Sequence, residues 1–119
     1  MEVEETKNPL TSEAGLIAYV GYSQNPSSPS LRRKRVLLTL TCEDDGEILL
    51  RGGLACLRQS RILRLSREAH EQGALLAYDD LTNLLLTSLS TLKRDLRQLK
   101  QEGLLVPLYR KKQRLTKRN

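Results

Sequence analysis

Residues 74–108 read ALLAYDDLTNLLLTSLSTLKRDLRQLKQEGLLVPL, and the spacing of leucine and charge along this stretch decides the fold class. Leu81, Leu84 and Leu85 recur at helical spacing, with Asp79 and Asp80 in the first turn, where carboxylates complement the exposed N–H groups and the helix dipole. A short helix ending near Leu86 is therefore predicted. Thr87 and Ser88 make a tight connection, and Ser88 or Ser90 caps the helix that follows. In that second helix Leu89, Leu92, Leu96 and Leu99 form a narrow apolar stripe suited to packing on a helical partner, and Gly103 closes it. Two helices joined by so few residues read as a helix-turn-helix. On a helical wheel with Lys93 at the origin, Arg97 lies at about +40°, Lys100 at about −20° and Arg94 at about +100°, while the leucines centre near about −80°. One face is buried, and the adjoining face is basic.

Upstream, Leu54, Leu57, Ile62, Leu65 and Ala69 approximate the helical period, and Gly73 is placed to end the element, so a helix is expected from about residue 54 to 72. Arg58, Arg61, Arg64 and Arg67 recur every third residue along it and wind around the cylinder, either pairing with Glu68 and Glu71 or lying over the core. Val36 to Thr41 (VLLTLT) reads as a strand ended by the turn-rich Glu43, Asp44, Asp45 and Gly46, with Glu47 to Leu50 returning as its partner. The basic run Arg32 to Arg35 beside it is more often a solvated cluster than a phosphate contact. Leu16 to Tyr22 has the content of a short strand, weakened by Gly15 and Gly21. Met1 to Glu13 and the SQNPSSPS run at 23–30 have the composition of linkers. Downstream, Leu104 to Leu108 reads as the first strand of a wing.

The expected fold is mainly α with short β elements: a three-helix helix-turn-helix core with a truncated wing and an N-terminal β-hairpin. Along the chain this gives an acidic, Ser/Pro-rich flexible segment at 1–30, the hairpin at 31–53, the winged unit at 54–108 and a basic tail at 109–119.

Composition narrows the function. The net charge is +6, and in residues 1–30 Lys7 stands alone against Glu2, Glu4, Glu5 and Glu13, so the basic charge belongs to the folded part and the tail. Such a balance favours polyanionic partners. With no Trp or Phe the core must be rich in leucine. Cys42 and Cys56 are too few and too widely spaced for a zinc motif, and there is no secretory h-region or membrane-length apolar run, so a reduced, cytoplasmic chain is expected. His70 lacks zinc-protease spacing, Asp44, Asp45 and Glu47 do not fit a calcium loop, and there is no Gly-rich phosphate loop. No catalytic constellation, cofactor fingerprint or metal set emerges, and a non-enzymatic protein is expected.

SLSTLKRDLRQLKQEGLLV, residues 88–106, resembles the second half of the helix-turn-helix of the deoxyribose-operon repressor family of winged-helix regulators. A longer stretch, from Gly52 to Leu108 and more weakly back to Val36, is similar to an uncharacterised prokaryotic family, a domain of unknown function, containing that module. The resemblance implies the fold but brings no activity from the larger family. Two departures stand out within the module. Leu86 occupies the place where such turns usually carry Gly, which implies a left-handed non-glycine residue at a cost on the order of 1 kcal/mol. Ala77 stands where a capping Thr is usual, leaving Asp80 to stabilise the first turn. After Pro107 a glycine-containing segment would follow in the family, whereas this chain reads LYRKKQRLTKRN, which fits either a basic tail or a truncated or frame-shifted gene.

A recognition helix anchors by one face and presents donors to base edges and phosphates with the other. That requirement selects Ser90, Thr91, Lys93, Arg94, Arg97 and Lys100, with Arg110, Lys111 and Lys112 of the tail as phosphate contacts. DNA is the expected partner, read by a regulator or mobile-element accessory protein, and such modules commonly act as dimers. The competing expectations are a protein-interaction domain on the same three-helix fold and RNA binding through the basic tail.

Overall fold

The computed structural model describes residues 15–24 and 33–110. Strands β1 (Gly15–Ser23) and β2 (Arg33–Thr41) form the N-terminal hairpin. They are followed by helix α1 (Asp45–Glu71), a short strand β3 (Ala74–Leu75), and helices α2 (Tyr78–Leu85) and α3 (Leu89–Gln101). The antiparallel sheet runs in the order β2-β1-β3, so the first strand is central. Val36 and Leu38 of β2 enter one core with Ile62, Leu65 and Ala69 of α1, Ala74, Leu76, Leu81 of α2, and Leu92 and Leu99 of α3.

The fold class expected from sequence is present, but the hairpin is built differently. Glu47 to Leu50 is helical and does not return as a strand; β2 pairs with β1 instead, Leu37 opposite Ala18 and Val36 opposite Tyr19. The reason lies in Asp45. Its carboxylate accepts from the Cys42 N–H at 3.2 Å and from Arg61 at 2.9 Å, which starts a helix immediately after the strand. Residues 15–23, expected within a flexible segment, are thus the middle of the sheet. Gly21 explains both the weak local signal and the outcome. A Cβ there would lie 2.9 Å from the Leu75 carbonyl, so only glycine lets β3 approach. Residues 1–14 and 25–32 of the linker reading, and 111–119 of the tail, lie outside the described residues.

The helix expected from residue 54 follows a break within α1. Gly53 adopts φ 82° and ψ −174°, a conformation essentially confined to glycine, and the chain is helical on both sides of it. Beyond the break Leu57, Ile62, Leu65 and Ala69 are buried as their spacing predicts, whereas Leu54 stays exposed. Gly73 follows the helix with positive φ, and Gly103 does the same after α3.

The wing is reduced to a single bridge. Leu108 pairs in parallel with Leu76, and the Tyr109 N–H donates to the Leu76 carbonyl at 2.8 Å. Pro107 has no N–H to give to a longer ladder, and residues 104–107 are not a strand. Tyr109 then stacks on Tyr22 of β1, ring centroids 3.9 Å apart, with the Arg33 guanidinium 4.4 Å above the Tyr22 ring. This sandwich fixes the path of the chain up to Arg110.

Candidate nucleic-acid interface

The helix-turn-helix begins at Ala77, whose N–H donates to the Asp80 carboxylate at 2.8 Å. Alanine offers no acceptor in return, so only that half of a reciprocal cap is present. Tyr19 of β1 packs against the same core as Leu81 of α2, and its burial raises its pKa. The turn passes through Leu86 at φ 54° and ψ 50°, the left-handed conformation implied by its position, with the side chain 90% exposed. It is the sole non-glycine residue with positive φ among the described residues. Ser88 then caps α3, its hydroxyl oxygen accepting from the Thr91 N–H at 3.1 Å.

The orientation of α3 about its own axis is set by a residue that sequence reading passed over. Asp95 is 2% exposed and accepts two hydrogen bonds from Arg58, at 2.6 and 3.2 Å, and one from Gln59 at 3.2 Å. A buried carboxylate is tolerable only with such partners. Bringing Asp95 inward rolls the helix so that Leu92 and Leu99 are buried, Leu96 is half-buried and Leu89 is 45% exposed. The buried face therefore centres on Leu92, Leu99 and Asp95, and Leu96 and Leu89 lie towards its edge.

Of the two expectations for the α1 arginines, pairing with Glu68 and Glu71 is not seen among the described residues, and Arg58, Arg61 and Arg64 are half-buried. Arg58 pairs with Asp95, while Arg61 and Arg64 both approach Asp45, at 2.9 and 3.6 Å. Burial alone would raise the Asp45 pKa, but hydrogen bonds from Arg61 and the Cys42 N–H, with the charge of Arg64, hold it below the ordinary carboxylate value. Glu68 instead accepts from the Thr39 N–H. These long-range partners carry no local sequence signal.

On the outer face of α3, Ser90, Lys93, Arg94, Arg97 and Lys100 are all exposed. Thr91 is half-buried, with its N–H and hydroxyl both bonded to Ser88 in the cap. Lys93, Arg97, Lys100 and Arg110 line a groove of about 420 Å³, whose apolar lining includes Leu96, Leu104, Val106 and Leu108. Arg94 lies outside that groove, and Lys111 and Lys112 fall outside the described residues. None of Lys93, Arg94, Arg97, Lys100 or Arg110 is in a salt bridge with a described residue. Among the described residues, no carboxylate lines the groove.

The sheet and the three helices form one core. A family described as a protein of unknown function, DUF1670, matches residues 3–115. The chain belongs to DUF1670. The DUF1670 match extends beyond the helix-turn-helix to the hairpin at one end and into the basic tail at the other. Nothing among curated proteins or solved structures matches the chain. Among the described residues, no helix is long and apolar enough to cross a membrane.

Proposed function

We propose that this DUF1670 protein binds duplex DNA through the outer face of α3, as a non-enzymatic regulator or mobile-element accessory protein of the cytoplasm. One observation carries the reading. The arginines that serve the fold, Arg58, Arg61 and Arg64, are held by carboxylates, whereas Lys93, Arg94, Arg97, Lys100 and Arg110 stand without a counter-charge among the described residues. Open cations on one helix face and on the segment beside it suit the closely spaced phosphates of a duplex. The likeness of residues 88–106 to the deoxyribose-operon repressor module supports the same assignment.

Ser90, Lys93 and Arg94, towards the N-terminus of α3, would approach base edges, with Ser90 and Thr91 available only through the sides of their hydroxyls not bonded to the Ser88 cap. Arg97, Lys100 and Arg110, continued by Lys111 and Lys112, would hold phosphate. Two copies on two half-sites are the assembly such a module commonly adopts. The experiment is an anisotropy titration against duplex DNA and duplex RNA over a range of salt, followed by selection from random duplexes. Steep salt dependence with an enriched DNA sequence supports the proposal. Equal affinity for RNA would move the partner to RNA through the tail, and no binding to either would abandon nucleic acid.

The apolar lining of the groove supports one other reading, a protein-interaction surface for an acidic partner segment. The two separate on Leu105→Asp, at an exposed leucine of the groove lining, which would abolish docking of an apolar segment and weaken DNA binding only through one added charge.

A further inference from the structure

β2 lies at the outside of the sheet, and an outer strand presents unpaired peptide groups to any extended chain that meets it. In this protein side chains of α1 occupy those groups. Gln72 acts as a peptide would: its Oε1 accepts from the Leu37 N–H at 3.0 Å and its Nε2 donates to the Leu37 carbonyl at 2.7 Å. Glu68 accepts from the Thr39 N–H at 2.6 Å. Arg64 donates to the carbonyls of Thr39 at 2.9 Å and of Leu40 at 3.0 Å, where the register with β1 shifts. The geometry explains why this works along the strand. Four helical residues advance about 6 Å and two strand residues about 6.7 Å, so positions 68 and 72 keep step with Thr39 and Leu37, and Arg64, one turn earlier, reaches the carbonyls at the register shift.

The cover stops where the helix stops. Beyond Gln72 the edge continues as Arg33, Lys34 and Arg35, and charge is a common means of blunting an edge. That charge does not guard against a second copy arriving antiparallel. A two-fold axis at Leu37 sets Leu37 against Leu37, Arg35 against Thr39 and Arg33 against Thr41, so no like charges face each other. Leu37, 57% exposed, would bury itself against its own counterpart.

We propose that Glu68 and Gln72 guard the β2 edge, and that the covered edge is a latent interface for a second copy of this chain, paired antiparallel across Leu37. The guard blocks this pairing without using the α3 face.

The test is sedimentation velocity of the full chain over a concentration series, comparing wild type with Glu68→Ala/Gln72→Ala. The double variant is expected to reach about twice the wild-type mass as concentration rises. Adding Leu37→Pro, which removes an outward N–H at a position where an edge strand tolerates proline, should return it to the wild-type mass. A double variant that remains at wild-type mass overturns the proposal, as does doubling that survives Leu37→Pro. If the double variant loses its helical circular dichroism, amide exchange in the wild type decides. The Leu37 and Thr39 amides are expected to exchange more slowly than that of Arg35, and equal rates overturn the guard.

Discussion

Arginine does two different jobs on α1 and α3. On α1, Arg58, Arg61 and Arg64 turn inward, lie mostly buried and end on Asp95 and Asp45, so they are engaged within the molecule. On α3, Arg94 and Arg97 turn outward and meet no acid among the described residues. Composition counts these residues alike. Only the position of the carboxylates separates cations that hold the fold from cations free to meet a partner, and net charge is a poor guide to where a polyanion binds.

The sharpest way to break this contrast is Asp95→Ala. Removing one partner of a buried pair leaves Arg58 and Gln59 unsatisfied, and a loss of about 3 to 5 kcal/mol is expected from urea denaturation. A midpoint equal to wild type would mean that the pair does not orient α3. Leu92→Ala, at a fully buried position, should cost about 2 to 5 kcal/mol, with Leu96→Ala costing clearly less because Leu96 is half-buried.

Acid probes the Asp45 cluster. Because folding lowers the Asp45 pKa, its contribution is fully present well above the unfolded value of about 3.9 and is lost as pH falls below that value through the folded one. The stability difference between wild type and Asp45→Asn should therefore be constant near neutrality and shrink in acid. A difference that grows in acid would reverse the assignment.

The open set should behave in the opposite way. Arg97→Ala/Lys100→Ala is expected to change stability by no more than about 0.5 kcal/mol, yet to reduce the slope of log K against log salt by nearly two, at roughly 0.9 per phosphate contact. An unchanged slope in a variant that still binds DNA would remove these residues from the interface.

The smallest effect concerns the turn. Leu86→Gly relieves a left-handed leucine whose side chain is exposed, so a gain of about 0.5 to 1 kcal/mol is expected in thermal or urea unfolding, reduced by the greater freedom of glycine in the unfolded chain. A loss of stability would show that the leucine packs on something in solution.

The helix-turn-helix was legible because its signals are local. The Ser88 cap and the Asp80 first-turn bond arise from neighbours a few residues apart, and the left-handed Leu86 followed from the family resemblance. What was not legible depends on distant partners. Glu47 to Leu50 looks like a strand until Asp45 is placed beside Arg61 and Arg64, and Asp95 looks like one more solvated carboxylate until Arg58 is brought to it. Gly21 weakens β1 when read locally and is required only once β3 lies against it. The outward face of α3 was read nearly in full, because exposure follows from the helical period, but Thr91 was not recognised as engaged by its own cap.

The Tyr22 and Tyr109 stack has a practical consequence. The chain has no Trp and four Tyr, and two of those rings lie parallel within 3.9 Å, the second one just before Arg110 at the mouth of the groove. Electronic coupling between parallel rings at that separation depends steeply on geometry, so the near-ultraviolet circular dichroism of the unlabelled protein reports whether residues 104–110 are seated. Any partner that enters the groove and shifts this wall carries its own optical signal, with no dye attached to either molecule.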